Sequence, residues 1–149
     1  MMSDIDRHVI SFGCNPIGSS NIDPLLVRFS TSESAVDWTP SATNSAGGVQ
    51  LSTGSRIIGA LKTRQEILIW TDVGIVSMRF VGQPFIFSFN EVATGMSTVS
   101  PHGMTSAGGA VYFMDNGGFY VYSGAVQRLP CTVLDHVLSD EIQDSALQV

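Results

Sequence analysis

One hairpin pattern occurs twice in this chain. It reads Ile67-Leu68-Ile69-Trp70-Thr71-Asp72-Val73-Gly74-Ile75-Val76-Ser77-Met78, and later Val111-Tyr112-Phe113-Met114-Asp115-Asn116-Gly117-Gly118-Phe119-Tyr120-Val121-Tyr122. Each copy is an apolar strand, a tight turn of Asp and Gly, and a second apolar strand. Glycine supplies the positive φ that tight hairpin turns use, and aspartate accepts local backbone hydrogen bonds. Asp72, Gly74, Asp115, Gly117 and Gly118 are therefore read as structural turn residues. The spacing of the two turns fits the roughly 40–50-residue period of four-stranded propeller blades. Blades bury their faces only by stacking on neighbours, and 149 residues leave room for about two or three of them.

The remaining punctuation fits the same plan. His8 to Gly13 and Leu25 to Ser30 read as strands joined by a turn-rich loop through Asn15, Pro16 and Gly18. From Thr31 to Gly54 the chain is dominated by Ser, Thr, Ala, Gly and Asn. Connections longer than about 12–15 residues are usually functional or interfacial. Strands follow at Ile57–Leu61, Glu66–Thr71, Ile75–Phe80 and the alternating run Phe85–Phe89, the last opened by Pro84 as an edge strand would be. After a loop from Thr94 to Gly109 come Ala110–Met114, Phe119–Tyr122 and Ala125–Leu129. Beyond Pro130, apolar residues at three- and four-residue steps in Cys131–Leu138 predict a short helix. The expected fold is all-β, with antiparallel propeller-like blades, about two plus a partial one, and a short C-terminal helix. It is read as one domain over 1–149, divided into a partial blade 6–30, a connection 31–55, and blades 56–92 and 109–138.

Charge narrows the function classes. Only 13% of residues are charged, against about 25% in ordinary soluble domains. Between Phe80 and Gln127 the only formal charges are Glu91 and Asp115. A surface so poor in charge is expected to be covered by other subunits or further blades. The net charge is −6, and of the seven basic residues only Lys62 and Arg64 are close in sequence. No basic stripe for tight nucleic-acid binding is built. Cys14 and Cys131 lack metal-ligand or redox spacing and read as reduced, partly buried thiols. The first residues lack an apolar signal region, and no apolar run reaches the ~18 residues of a membrane span. Synthesis in the cytoplasm without membrane insertion is the expectation.

No constellation specifies a reaction. His8, His102 and His136 are read as surface residues, with neither a GxSxG nucleophile nor a third group to orient them. Asp115-Asn116-Gly117-Gly118 lacks the alternating acids of a calcium loop, and the Gly-Gly stretches lack the Lys-Ser/Thr of a phosphate cradle. No catalytic residue, metal ligand or cofactor is assigned, and the chain is read as non-enzymatic. Trp38, Pro40, Phe85 and Phe87 are candidate interface residues, since aromatics at strand spacing usually serve packing between blades.

One set of linked motifs goes further than generic pattern. Val36-Asp37-Trp38-Thr39-Pro40, Asn44-Ser45-Ala46-Gly47-Gly48, Thr63-Arg64-Gln65-Glu66, Leu68-Ile69-Trp70-Thr71-Asp72, Ser77-Met78-Arg79-Phe80-Val81-Gly82, Gly118-Phe119-Tyr120-Val121-Tyr122-Ser123-Gly124 and Leu129-Pro130-Cys131-Thr132-Val133 run in order along about three quarters of the chain. Together they resemble the propeller-bearing tail-tube, nozzle and packaged-DNA-stabilisation proteins of short-tailed bacteriophages. The resemblance implies a virion structural protein of the tail, assembled as a homo-oligomeric ring (six-fold is common in that family) below the portal and adaptor. There it would border the DNA exit channel, with other tail proteins as partners and packaged DNA nearby. Proteins of that family are several times longer and complete the propeller within one polypeptide; this chain departs from that pattern, as a fragment or split version or as a chain that completes its sheets by association.

Two further readings compete. A propeller-type glycan or receptor-binding module of a phage tail would use Trp38 and the aromatic strands. A glycoside hydrolase would need two convergent carboxylates, drawn from Asp37, Glu66, Asp72, Glu91 and Asp115. The hairpin assignment itself makes a prediction: valine at Gly74 or Gly118 should destabilise the protein by ~1–3 kcal/mol. Urea denaturation of both variants checks it, and unchanged stability in both would remove the hairpins.

Overall fold

In a computed structural model that describes residues 2–3 and 6–130, twelve strands form three four-stranded antiparallel sheets. The first sheet runs β1 (Met2–Ser3), β2 (Val9–Cys14), β3 (Asp23–Phe29) and β4 (Gly47–Gln50) in spatial order. The second runs β5 (Ile57–Lys62), β6 (Ile67–Thr71), β7 (Gly74–Gly82) and β8 (Ile86–Thr94). The third runs β9 (Met104–Ala107), β10 (Ala110–Asp115), β11 (Gly118–Tyr122) and β12 (Val126–Leu129). Each sheet is a meander in which neighbours in sequence are neighbours in space, as in a propeller blade. The all-β, blade-like class expected from sequence is what the chain adopts. The predicted helix over Cys131–Leu138 lies outside the described residues.

Alternation along β6 explains why the sheets stack. All five of its residues are buried. Successive strand side chains point to opposite faces, so Ile67 and Ile69 join one core while Leu68 and Trp70 join another. The first core unites Ile10, Val27 and Phe29 of the first sheet with Val76, Met78 and Phe87 of the second. The second core packs Trp70 and Ile75 against Val111, Phe113 and Tyr122 of the third sheet. Burying each such apolar side chain contributes roughly 1.5–3 kcal/mol. The middle sheet is thus covered on both sides.

Three strands arise where the sequence pattern predicted none, β1 among them, ahead of the partial blade expected at 6–30. β4 lies inside the stretch 31–55 read as a connection, and β9 lies ahead of the expected blade start at 109. Both are short and weak in β-propensity. Packing supplies what propensity lacks at Gly47, where a Cβ would come within 2.7 Å of the Phe29 ring. Only a bare backbone can pair with β3 over that ring. The chain therefore holds three four-stranded units among its described residues, where two and a part were expected.

His8 is also placed differently. It is buried at 1% exposure, bonded through Nε2 to Ser45 Oγ at 3.1 Å, and ringed by Phe29, Phe80 and Phe87. Its position just ahead of β2 turns it into the space between the first two sheets, so it is a core residue and not a surface one.

Phe85 and Phe87 part company for a local backbone reason. Two residues apart on a regular strand, they would share a face. Ile86, however, sits at φ +63°, and Phe87 N–H bonds to Phe85 C=O at 2.7 Å, forming a γ-turn. The turn throws Phe85 outward to 78% exposure and Phe87 inward to 5%. Phe87→Ala should cost about 3–5 kcal/mol by opening a cavity beside His8 and Phe29, whereas Phe85→Ala should stay within about 0.5 kcal/mol. Urea midpoints of the two variants measure the contrast.

Candidate functional site

Asp72 and Asp115 lie in the corresponding hairpins of the second and third sheets but one place apart: Asp72 is the first loop residue after β6, whereas Asp115 ends β10 and pairs with Gly118, the place Thr71 holds in the second sheet. Their chemistry differs. In the β6–β7 hairpin the turn is closed by Thr71, whose Oγ1 accepts from Gly74 N–H at 3.1 Å and donates to Gly74 C=O. Asp72 instead accepts from Ser55 N–H at 2.8 Å and from Ser55 Oγ at 2.5 Å. Those bonds hold its carboxyl below the usual range and tie the incoming chain to the hairpin. Asp115 bonds within its own turn, accepting from Asn116 N–H at 2.8 Å. Asn116 and Gly117 form the two-residue loop, and Gly118 follows at φ +142°.

Gly74 departs from its predicted reason. Its φ is not positive. A Cβ there would lie 2.7 Å from Ala93 C=O and 3.1 Å from Thr53, so glycine is required by the close approach of β8. The sequence names the residue correctly but cannot see the strand that crowds it.

The candidate interface residues are scattered. Trp38 is half-buried over the first sheet: its indole N–H donates to Ala35 C=O, and the Arg28 guanidinium lies 5.7 Å from its ring centre. Arg28 also donates to Trp38 C=O and Asn15 C=O. The long loop is laced internally, with Asn44 bonded to Asp37 and to Thr39 C=O. It lies against Arg28, a β3 residue on the outer side of the first sheet, and covers that side at Arg28. Pro40 and Phe85 are exposed, and Phe87 is not available to any partner.

The opposite end of the stack is different. Val111 and Phe113 turn inward, so Tyr112 and Met114 face away from the second sheet. By register, Phe119 and Val121 on β11 and Leu129 on β12 share that outer face. Among the described residues no further sheet stacks on it. Tyr112 is 39% exposed, and a shallow groove of about 490 Å³ runs past Tyr112, Met114, Phe119 and Leu129.

A polar cluster links the second and third sheets. Glu66 stands one residue before the Ile67–Met78 pair, on the side facing the third sheet. Its carboxylate accepts from Ser77 Oγ, from Arg79 Nε at 2.9 Å and, across the sheets, from Tyr122 Oη at 2.9 Å. Burial pushes the Glu66 carboxyl up, but the three donors and the Arg79 charge outweigh it and hold it below the usual carboxylate range. Burial and donation to Glu66 raise the Tyr122 phenol, and the bond to Glu66 raises Arg79. In the sequence Glu66 stands out only as one of five acids a hydrolase could draw on. An apolar run flanked by one Glu carries no signal of a tyrosine on another sheet.

Of the other acids considered for hydrolysis, Asp37 accepts from Asn44 within its own loop, and Glu91 accepts from Thr53 Oγ1 of the segment ahead of β5. Among the described residues no group of three or more His, Cys, Asp or Glu is placed to hold a metal ion, and no helix is long and apolar enough to cross a membrane. Cys14 is a half-buried free thiol, and Cys131 lies outside the described residues. Neither a family model nor any curated protein matches this chain.

Because Glu66 binds protons more weakly when folded, its stabilising contribution is full above the usual carboxylate range and is lost as pH falls through and below it. Between about pH 5 and pH 3 the wild type should lose stability more steeply than Glu66→Gln, and Tyr122→Phe should cost about 1–3 kcal/mol near neutrality. Urea denaturation across that pH window reads both.

Proposed function

We propose that this protein is a structural component of a bacteriophage tail, of the nozzle, tube or packaged-DNA-stabilisation kind, that works by assembly and not by catalysis. The observation that carries the reading is the asymmetry of the stack. On the outer side of the first sheet the chain's own polar loop packs Trp38 on Arg28. The third sheet ends in the apolar row Tyr112, Met114, Phe119 and Leu129. Sheets of this kind bury such rows by receiving another sheet about 10 Å away.

The order of linked motifs from Val36 to Val133 supports placing the partner in a phage tail, as does a middle region almost free of charge. In this reading the chain joins a homo-oligomeric ring, with portal-adaptor and other tail proteins as partners, and lies in the virion. An acidic balance of −6 suits a wall along which DNA passes without sticking. The receptor-binding alternative loses support from Trp38, whose ring is already occupied by Arg28.

Light scattering on the purified chain, alone and mixed with portal-proximal tail proteins, tests the proposal. A specific oligomer or complex is expected, and Tyr112→Asp should abolish it with an unchanged urea midpoint. A chain that stays monomeric in both settings overturns the reading.

A further inference from the structure

The β5–β6, β9–β10 and β11–β12 turns meet at one end of the second and third sheets, around an open cleft of about 810 Å³. Its wall carries Lys62, Arg64 and Arg79, three of the seven basic residues of the chain. Glu66 is the single carboxylate there. In a protein of net charge −6, this is a local concentration of positive charge. The sequence hides it, because Arg79 joins Lys62 and Arg64 only through the pairing of β6 with β7.

The polar groups of this cleft divide into two sets. Glu66 is fully engaged by Ser77, Arg79 and Tyr122. Arg79 commits Nε to Glu66 yet keeps its side chain 52% exposed. Arg64 is exposed and has no ion-pair or hydrogen-bond partner among the described residues, and the same holds for the side chains of Gln65, Ser106 and Ser123. Arg64, the exposed end of Arg79 and neutral hydrogen-bonding groups are therefore left facing the same space. A volume of this size falls within the roughly 300–1,000 Å³ typical of small-molecule sites.

We infer that this cleft binds an anionic saccharide unit, a sugar bearing a carboxylate or phosphate. Its anionic group would lie against Arg64 and Arg79, whose guanidinium forks suit planar and tetrahedral oxyanions. Its hydroxyls would meet Gln65, Ser106 and Ser123. A nucleic-acid strand fits less well, since strand binding uses aromatic platforms and a continuous basic track. The one aromatic side chain on this wall, Tyr122, is only 6% exposed, and the overall charge repels a long polyanion. The inference does not depend on the assembly reading, because the cleft lies between sheets two and three and the proposed assembly face lies on the far side of sheet three.

Isothermal titration and amide NMR shifts on the full chain test it, with glucuronate, glucose 6-phosphate, glucose, inorganic phosphate and a short single-stranded DNA as ligands. The expected result is that glucuronate or glucose 6-phosphate binds, with shifts at Ser106, Gly108, Gly109 and Gly124, while glucose does not. Arg64→Glu should weaken binding by about tenfold or more, the loss of one charge-assisted hydrogen bond, with an unchanged urea midpoint. Arg64 is chosen because Arg79 also holds Glu66. Inorganic phosphate binding as tightly as glucose 6-phosphate, with glucuronate inert, would overturn the saccharide assignment. DNA binding more tightly than either sugar, binding indifferent to Arg64→Glu, or no binding by either anionic sugar would overturn the site.

Discussion

Everything in this fold depends on β6 being buried on both of its faces. A strand of consecutive apolar residues cannot rest with one side in water, so it demands a sheet above and a sheet below. Ile67 and Ile69 recruit the first sheet, and Leu68 and Trp70 recruit the third. The order of the stack follows from that single strand. So does the position of the long loop: with its inner face spent on β6 and its neighbours, the first sheet turns Arg28 outward, where Trp38 packs on it.

The same stacking creates a partly buried ionic cluster that spans two sheets. Glu66 is held by donors from its own sheet and by Tyr122 from the next. A carboxylate withdrawn from water needs such donors, because leaving it without them costs far more than each bond returns. The cluster fixes how the second and third sheets meet. It also turns Arg79 toward a cleft that already holds Lys62 and Arg64. Anchoring of the sheets and the electrostatics of the cleft are thus two consequences of one contact.

The hairpins were legible because their signals are local. Asp72 and Asp115 do fall at equivalent turns, and Gly118 has the positive φ its place requires. What the sequence concealed always involved a neighbour distant in the chain. Gly74 is glycine because Ala93 crowds it, and β4 forms because Gly47 fits over Phe29. Phe87 is core and Phe85 is not, because Ile86 reverses the backbone between them. Period-two reasoning assumes an unbroken strand, and one residue at positive φ is enough to invalidate it.

Alternation, turn chemistry and repeat spacing by themselves determined that this chain is all-β and built of antiparallel, blade-like hairpin units, since each of those signals acts over a few residues. Tertiary structure decided how many units there are, which aromatics are spent in the cores and where the scattered cations converge. Those outcomes rest on which face of each sheet meets another, and that is a property of packing between segments tens of residues apart.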